Sequence, residues 1–113
     1  MTTLYGIKNC DTCKKARLWL EQNHVAFQFH EYRTDGLSEE LLNRFANQLG
    51  WSTMLNRSST SWRQLSPEQQ ADLTEAKALQ LMLAFPTLIK RPILDAGGRL
   101  IIGFKSGAYE TEL

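Results

Sequence analysis

Apolar and polar positions recur along the chain with two different periods, and the changes of period divide it into elements. Residues 3–7 combine β-branched, aromatic and aliphatic side chains and run into Lys8-Asn9, which predicts a short strand ending in a turn. Over residues 11–23, Ala16, Trp19 and Leu20 recur at helical spacing while Lys14, Lys15, Arg17 and Glu21 fall on other faces. That is an amphipathic helix. Residues 25–32 then alternate, with Val25, Phe27 and Phe29 to one side and Gln28, His30 and Tyr32 to the other, a second strand. The chain therefore opens β-α-β.

Ser38 is placed to cap a helix over residues 39–49, with Leu37 and Leu42 as a hydrophobic staple and Gly50 as terminator. Its core face would be Leu41, Leu42, Phe45 and Leu49. Residues 51–65 show neither period and carry a Ser/Thr run, which predicts an irregular connection holding Arg57, Trp62 and Arg63. Ser66-Pro67-Glu68-Gln69 matches a capping box with proline at the first helical position, and Thr74 can cap a further helix to about residue 84. Two apolar runs, 92–96 and 99–104, meet at Gly97-Gly98 as a hairpin, and the tail from 106 adds a final helical turn or two. The order β-α-β, helices, β-β-α specifies an α/β fold with a mixed sheet and an inserted helical lobe at about residues 37–85.

A length of 113 residues leaves room for one core, so residues 1–113 are expected to form a single domain. With 42% hydrophobic and 22% charged residues that core can be substantial, and a net charge of +1 supplies no global polycation for nucleic acid or an acidic membrane. Any anion must be held by a local cluster. No run approaches the ~18 apolar residues of a membrane span, and the N-terminus lacks the basic and apolar regions of a secretory signal. Two closely spaced cysteines are too few for a disulfide scaffold and point to redox or metal chemistry. The expectation is a cytoplasmic monomer, with neither nucleic acid nor membrane as partner.

The element order puts Cys10 at the N-terminal edge of the first helix and Cys13 one turn further in. Residues at i and i+3 share a helix face, so an internal disulfide needs little backbone movement. The free amides and the positive end of the helix dipole stabilise a thiolate at the first position, with Lys8, Lys14 and Lys15 nearby in sequence. An ordinary thiol of pKa ~8.5 is only about 3% ionised at neutral pH, so this placement is what makes Cys10 the expected nucleophile. Zinc is the competing reading, since His24 and His30 follow. Cys13 and His24 are separated by the helix itself, roughly 16 Å at ~1.5 Å per residue, and no metal is expected. Trp19, Trp51 and Trp62 lack an interleaved basic stripe and are expected in the core or at packing contacts.

The runs Tyr5-Gly6-Ile7-Lys8-Asn9-Cys10-Asp11-Thr12-Cys13-Lys14-Lys15-Ala16, Phe85-Pro86-Thr87-Leu88-Ile89-Lys90-Arg91-Pro92 and Gly103-Phe104-Lys105 resemble the arsenate reductase (ArsC)-like family, above all its YffB-type branch, with the Spx transcriptional regulators as relatives. The resemblance spans essentially the whole chain and implies a thioredoxin-like fold. It implies further that Cys10 is flanked by oxyanion-binding arginines at Arg57 and Arg91, that Lys105 stands near a third, and that Pro92 is cis. Arginine presents planar bidentate donors that lysine does not, so Lys105 makes a less directional site. Gly6 stands where arsenate reductases carry a histidine, and Cys13 adds a second thiol they usually lack. The resemblance therefore implies a glutathione-dependent thiol reductase rather than an arsenate reductase: Cys10 attacks, Cys13 resolves, and Arg57, Arg91 and Lys105 hold the glutathione carboxylates. No bound cofactor is implied; glutathione is a cosubstrate and glutaredoxin a further partner. The alternative is a redox-sensing regulator that binds RNA polymerase, for which a chain stopping at Leu113 leaves little recognition tail.

Overall fold

The computed structural model describes residues 1–113, with side chains for all but residue 106. In chain order, β1 (Thr2–Gly6), α1 (Asp11–Gln22) and β2 (Gln28–Glu31) are followed by a single helical turn, α2 (Tyr32–Asp35). Next come α3 (Glu39–Leu49), three more single turns, α4 (Trp51–Met54), α5 (Thr60–Arg63) and α6 (Pro67–Gln70), then α7 (Glu75–Ala84) and a 3-10 turn at Pro86–Leu88. The chain closes with β3 (Ile93–Ala96), β4 (Arg99–Ile102) and α8 (Ser106–Glu112). These elements gather into two compact units, one of Met1–Gly36 with Arg91–Leu113 and one of Leu37–Lys90.

The first unit is built on a four-stranded sheet in the order β2-β1-β3-β4. β1 pairs parallel with β2, Gly6 opposite Glu31, and antiparallel with β3, Leu4 opposite Leu94. Parallel pairing requires a crossover, and α1 supplies it. β3 and β4 pair antiparallel across Gly97-Gly98, whose φ values of 64° and 101° lie where a two-residue hairpin turn needs them. Ala16 and Leu20, four residues apart on α1, are fully buried with Leu4, Leu94 and Tyr109. Full burial of one such leucine contributes about 1.5–3 kcal/mol. Tyr109 of α8 meets the edges of Trp19 and Phe104 at ring-centre distances of 5.4 and 4.9 Å, and an Arg99–Glu112 ion pair joins β4 to α8.

The mixed sheet is the one the sequence predicts, but its second strand is shorter. The ladder holds only Gln28–Glu31, while Val25 and Phe27 pack against the core ahead of it. At the other end the Glu31 carboxylate accepts the Arg33 N–H at 2.9 Å and the Glu31 N–H donates to Asp35 Oδ2 at 3.0 Å. These local bonds give the backbone an alternative to the ladder, so Tyr32 turns into α2 and is buried.

In the second unit, Ser38 Oγ accepts the Leu41 N–H at 3.1 Å to start α3, and Gly50, at φ 83°, ends it. The buried stripe is Leu42, Phe45 and Ala46; Leu41 and Leu49, expected in the core, are half-buried. Where an irregular connection is expected, α4 and α5 appear. Ser59 Oγ caps α5 by accepting the Trp62 N–H at 3.1 Å. A single turn contains too few residues to show a period, and only its cap marks it. The capping box of α6 is complete: Gln69 N–H to Ser66 Oγ at 3.2 Å and Ser66 N–H to Gln69 Oε1 at 2.8 Å. Thr74 Oγ1 starts α7 by accepting the Lys77 N–H at 3.2 Å. Among the described residues, no helix is long and apolar enough to cross a membrane.

Candidate active site

Cys10 is the N-cap of α1, with an extended backbone (φ −128°, ψ 122°), and its carbonyl accepts the Lys14 N–H at 2.9 Å. In most helices a serine, threonine or aspartate side chain occupies this position and satisfies an orphan amide. Here a half-exposed thiol occupies the position, with no side-chain capping hydrogen bond. Partial burial acts against its ionisation. The Cys13 backbone amide, the Arg91 guanidinium and the Cys13 thiol, all of which favour the anion, outweigh that effect and hold Cys10 below its ordinary pKa of 9.0.

Cys13 has the opposite environment. It is 1% exposed, and burial, reinforced by the adjacent Cys10 sulfur and only partly opposed by the Ile7 backbone amide, pushes its pKa up to about 12. Both cysteines are free thiols. One helical turn thus separates an activated sulfur from an inert one.

Arg91 reaches this site through the sheet. β3 runs antiparallel to β1 with Ile93 opposite Tyr5, which carries Arg91 to the end of β1 from which Cys10 follows. The Arg91–Pro92 peptide is cis, and the Pro92 carbonyl accepts the Gly103 N–H at 2.8 Å.

Sequence reasoning noted Gly6 only as the replacement of a histidine, yet Gly6 shapes the site. A Cβ built on it would lie 2.6 Å from Cys13 Sγ and 3.7 Å from a ring carbon of Phe29. Tyr32, expected in the second strand, lies in α2 and is 3% exposed; Tyr109 is fully buried. Burial, then the charge on Cys13, raises the pKa of both phenols, so both stay protonated at neutral pH. A glycine four residues before the first cysteine, inside an otherwise branched and aromatic strand, is the sequence signal for such a close approach.

Arg57 belongs to the second unit, where its guanidinium lies 5.8 Å from the centre of the Trp62 ring. Lys105 is the exposed N-cap of α8 in the first unit. His30 Nε2 bonds the Gly36 carbonyl at 2.7 Å, and His24 has a left-handed backbone, φ 57°, just beyond α1. Among the described residues, no three His, Cys, Asp or Glu side chains are grouped as metal ligands.

A cysteine capping the helix that follows the first strand, facing an arginine that precedes a cis-proline and the third strand, defines an α/β protein of thioredoxin-like fold with a thiol centre. The chain belongs to the ArsC family, whose sequence profile matches residues 5–111. The solved structure of a YffB protein is 52% identical, superposes with a TM-score of 0.96 and is matched over 100% of this chain and 99% of that one. An arsenate reductase (ArsC) related protein from Brucella melitensis is 45% identical with a TM-score of 0.80, over 97% and 92% of the two chains. The global transcriptional regulator Spx of Streptococcus mutans is 30% identical, covering 92% of this chain and 77% of the regulator.

Proposed function

We propose that the protein is a glutathione-dependent thiol–disulfide oxidoreductase, working as a cytoplasmic monomer without a bound cofactor. The observation that carries this reading is the asymmetry of the two thiols: Cys10 is lowered in pKa beside Arg91, while Cys13 is pushed up to about 12. Thiol–disulfide exchange needs one sulfur that is anionic at ambient pH and a second that stays protonated until required.

In the first step the Cys10 thiolate attacks a sulfur of a glutathione mixed disulfide. The old S–S bond breaks, its electron pair leaves on the departing thiol, and glutathione is bonded to Cys10. A second glutathione, or Cys13, then attacks that bond. Once Cys10 is in a disulfide it no longer carries charge, so the share of the Cys13 rise that comes from Cys10 disappears, and resolution becomes easier after the first step than before it. Arg91 acts on both thiols, and it is proposed with Arg57 and Lys105 to bind the glutathione carboxylates, with glutaredoxin as a further partner.

The test is turnover of a glutathione–hydroxyethyl mixed disulfide. Cys10→Ser should abolish it, and Cys13→Ser should retain activity that depends on free glutathione. Absence of turnover by the reduced wild-type protein would overturn the reading. Arsenate reduction in the same assay, without disulfide turnover, would assign the oxyanion chemistry instead.

The similarity to Spx favours a second reading, a redox-sensing regulator that binds RNA polymerase. Capture of a polymerase subunit that depends on the oxidation state of Cys10 and Cys13, by a protein that turns over no disulfide, would establish it.

A further inference from the structure

Tyr32 carries a buried hydroxyl that hydrogen-bonds to no group among the described residues. Burying an unsatisfied hydroxyl is costly, and phenylalanine would fill the same space without that cost. A retained orphan of this kind needs an explanation.

The surroundings supply one. Tyr32 directly follows Glu31, which pairs with Gly6, and Gly6 is the residue whose missing Cβ leaves room for Cys13 Sγ. The Tyr32 ring ends a chain of ring contacts that starts at Tyr5, tilted from Tyr5 to His30 at a centre distance of 5.0 Å and edge-on from His30 to Tyr32 at 6.3 Å. Charge on Cys13 acts on the Tyr32 hydroxyl, and so does the Arg91 guanidinium that faces Cys10.

Cys13 is the sulfur in need of a donor. In the resting enzyme it is a protonated thiol and asks little of its surroundings. When an internal Cys10–Cys13 disulfide is reopened, an external thiolate bonds to Cys10 Sγ, the S–S bond breaks, and its electron pair leaves on Cys13 Sγ. That thiolate forms in a buried place that strongly disfavours it, with the Ile7 amide as its backbone donor. We infer that the Tyr32 hydroxyl donates a hydrogen bond to Cys13 Sγ as it leaves, making Tyr32 the residue that assists reopening of the disulfide. The same bond assists the reverse step, in which Cys13 attacks. A hydroxyl without a resting partner suits this role, because its bond is made only when charge develops.

The inference rests on the proposed Cys10–Cys13 exchange, and the experiment separates the two. The protein is oxidised with glutathione disulfide, and the internal disulfide is reopened by dithiothreitol, whose attack needs no glutathione site. Rates are followed by stopped-flow and by alkylation with mass analysis, together with the equilibrium potential of the pair. Tyr32→Phe is expected to slow reopening about tenfold, and to slow formation of the internal disulfide by the same factor, while leaving the equilibrium potential at neutral pH unchanged, because resting Cys13 is protonated in both proteins. Cys10 alkylation in a Cys13→Ser background should be unaffected by Tyr32→Phe. Reopening at the wild-type rate in Tyr32→Phe would overturn the inference alone, as would a slowing produced by Tyr109→Phe and not by Tyr32→Phe. Failure of the wild-type protein to form the internal disulfide would overturn both this inference and the resolving role of Cys13. Thermal unfolding keeps the result interpretable: loss of an orphan hydroxyl should not lower the melting temperature.

Discussion

The sulfur of Cys13 lies where the side chain of residue 6 would begin: a Cβ on Gly6 would sit 2.6 Å from Cys13 Sγ. The φ of Gly6 is not in the left-handed region, so what glycine provides here is space and not conformational freedom. The second cysteine and the glycine are therefore one device, since a side chain at position 6 and a thiol at position 13 compete for the same volume. Gly6→Ala should destabilise the protein by about 1–3 kcal/mol through overpacking. In a Cys13→Ala background the obstructing sulfur is gone and most of that cost should disappear. A double-mutant cycle in urea measures the coupling, and additive effects would show that the contact is relieved elsewhere.

Cys10 should react with iodoacetamide along a pH profile whose midpoint lies below 9.0, with Cys13 unlabelled throughout the neutral range. Arg91→Leu removes both a hydrogen bond and a charge that favour the thiolate, so the midpoint should move up. Arg91→Lys should keep part of the charge effect and lose the planar donor geometry. A midpoint unchanged by Arg91→Leu would assign the activation to the helix N-terminus alone.

Stability should depend on alkaline pH through Cys13. Its folded pKa of about 12 lies above the ordinary 9.0, so the unfolded chain releases this proton first. The corresponding stabilisation is fully present below pH 9 and is lost as pH rises toward the folded value. Urea midpoints should therefore fall more steeply above about pH 9 in wild type than in Cys13→Ala. Tyr32 and Tyr109 titrate in both proteins, and because the Cys13 charge acts on both phenols, the difference between the curves reports the thiol together with that coupling.

The capping box of α6 holds a single turn, with no further helical residues to share the load. Ser66→Ala should cost about 0.5–2 kcal/mol, seen as a lower denaturant midpoint at constant slope. Ser66→Gly should cost only a few tenths of a kcal/mol.

Elements with a full period were legible from sequence. The bounds of α3 and α7 follow from Ser38, Gly50 and Thr74, and the hairpin from Gly97-Gly98, because caps and turns are local chemistry. The single turns α4 and α5 were not legible, since four residues show no period. Tyr32 was misplaced because its alternation with Phe29 and His30 is real, while the bonds that end the strand come from the side chains of Glu31 and Asp35. At the thiol centre, the helix-capping place of Cys10 could be read from strand-turn-helix order. That Cys13 would be inert, and that Gly6 would leave room for its sulfur, depends on packing that no spacing encodes.

The sheet of the first unit is assembled from both ends of the chain, with Leu4 beside Leu94 and Arg91 arriving only with β3. On a ribosome the nucleophile is therefore made among the first residues and its activating guanidinium among the last. A chain that stops before β3 has the local amide of α1 beside Cys10 but neither the hydrogen bond nor the charge of Arg91, so its thiolate lacks part of its support. Full thiolate support is in this sense tied to completed synthesis, since the last group that favours the Cys10 anion arrives only with the chain that forms β3.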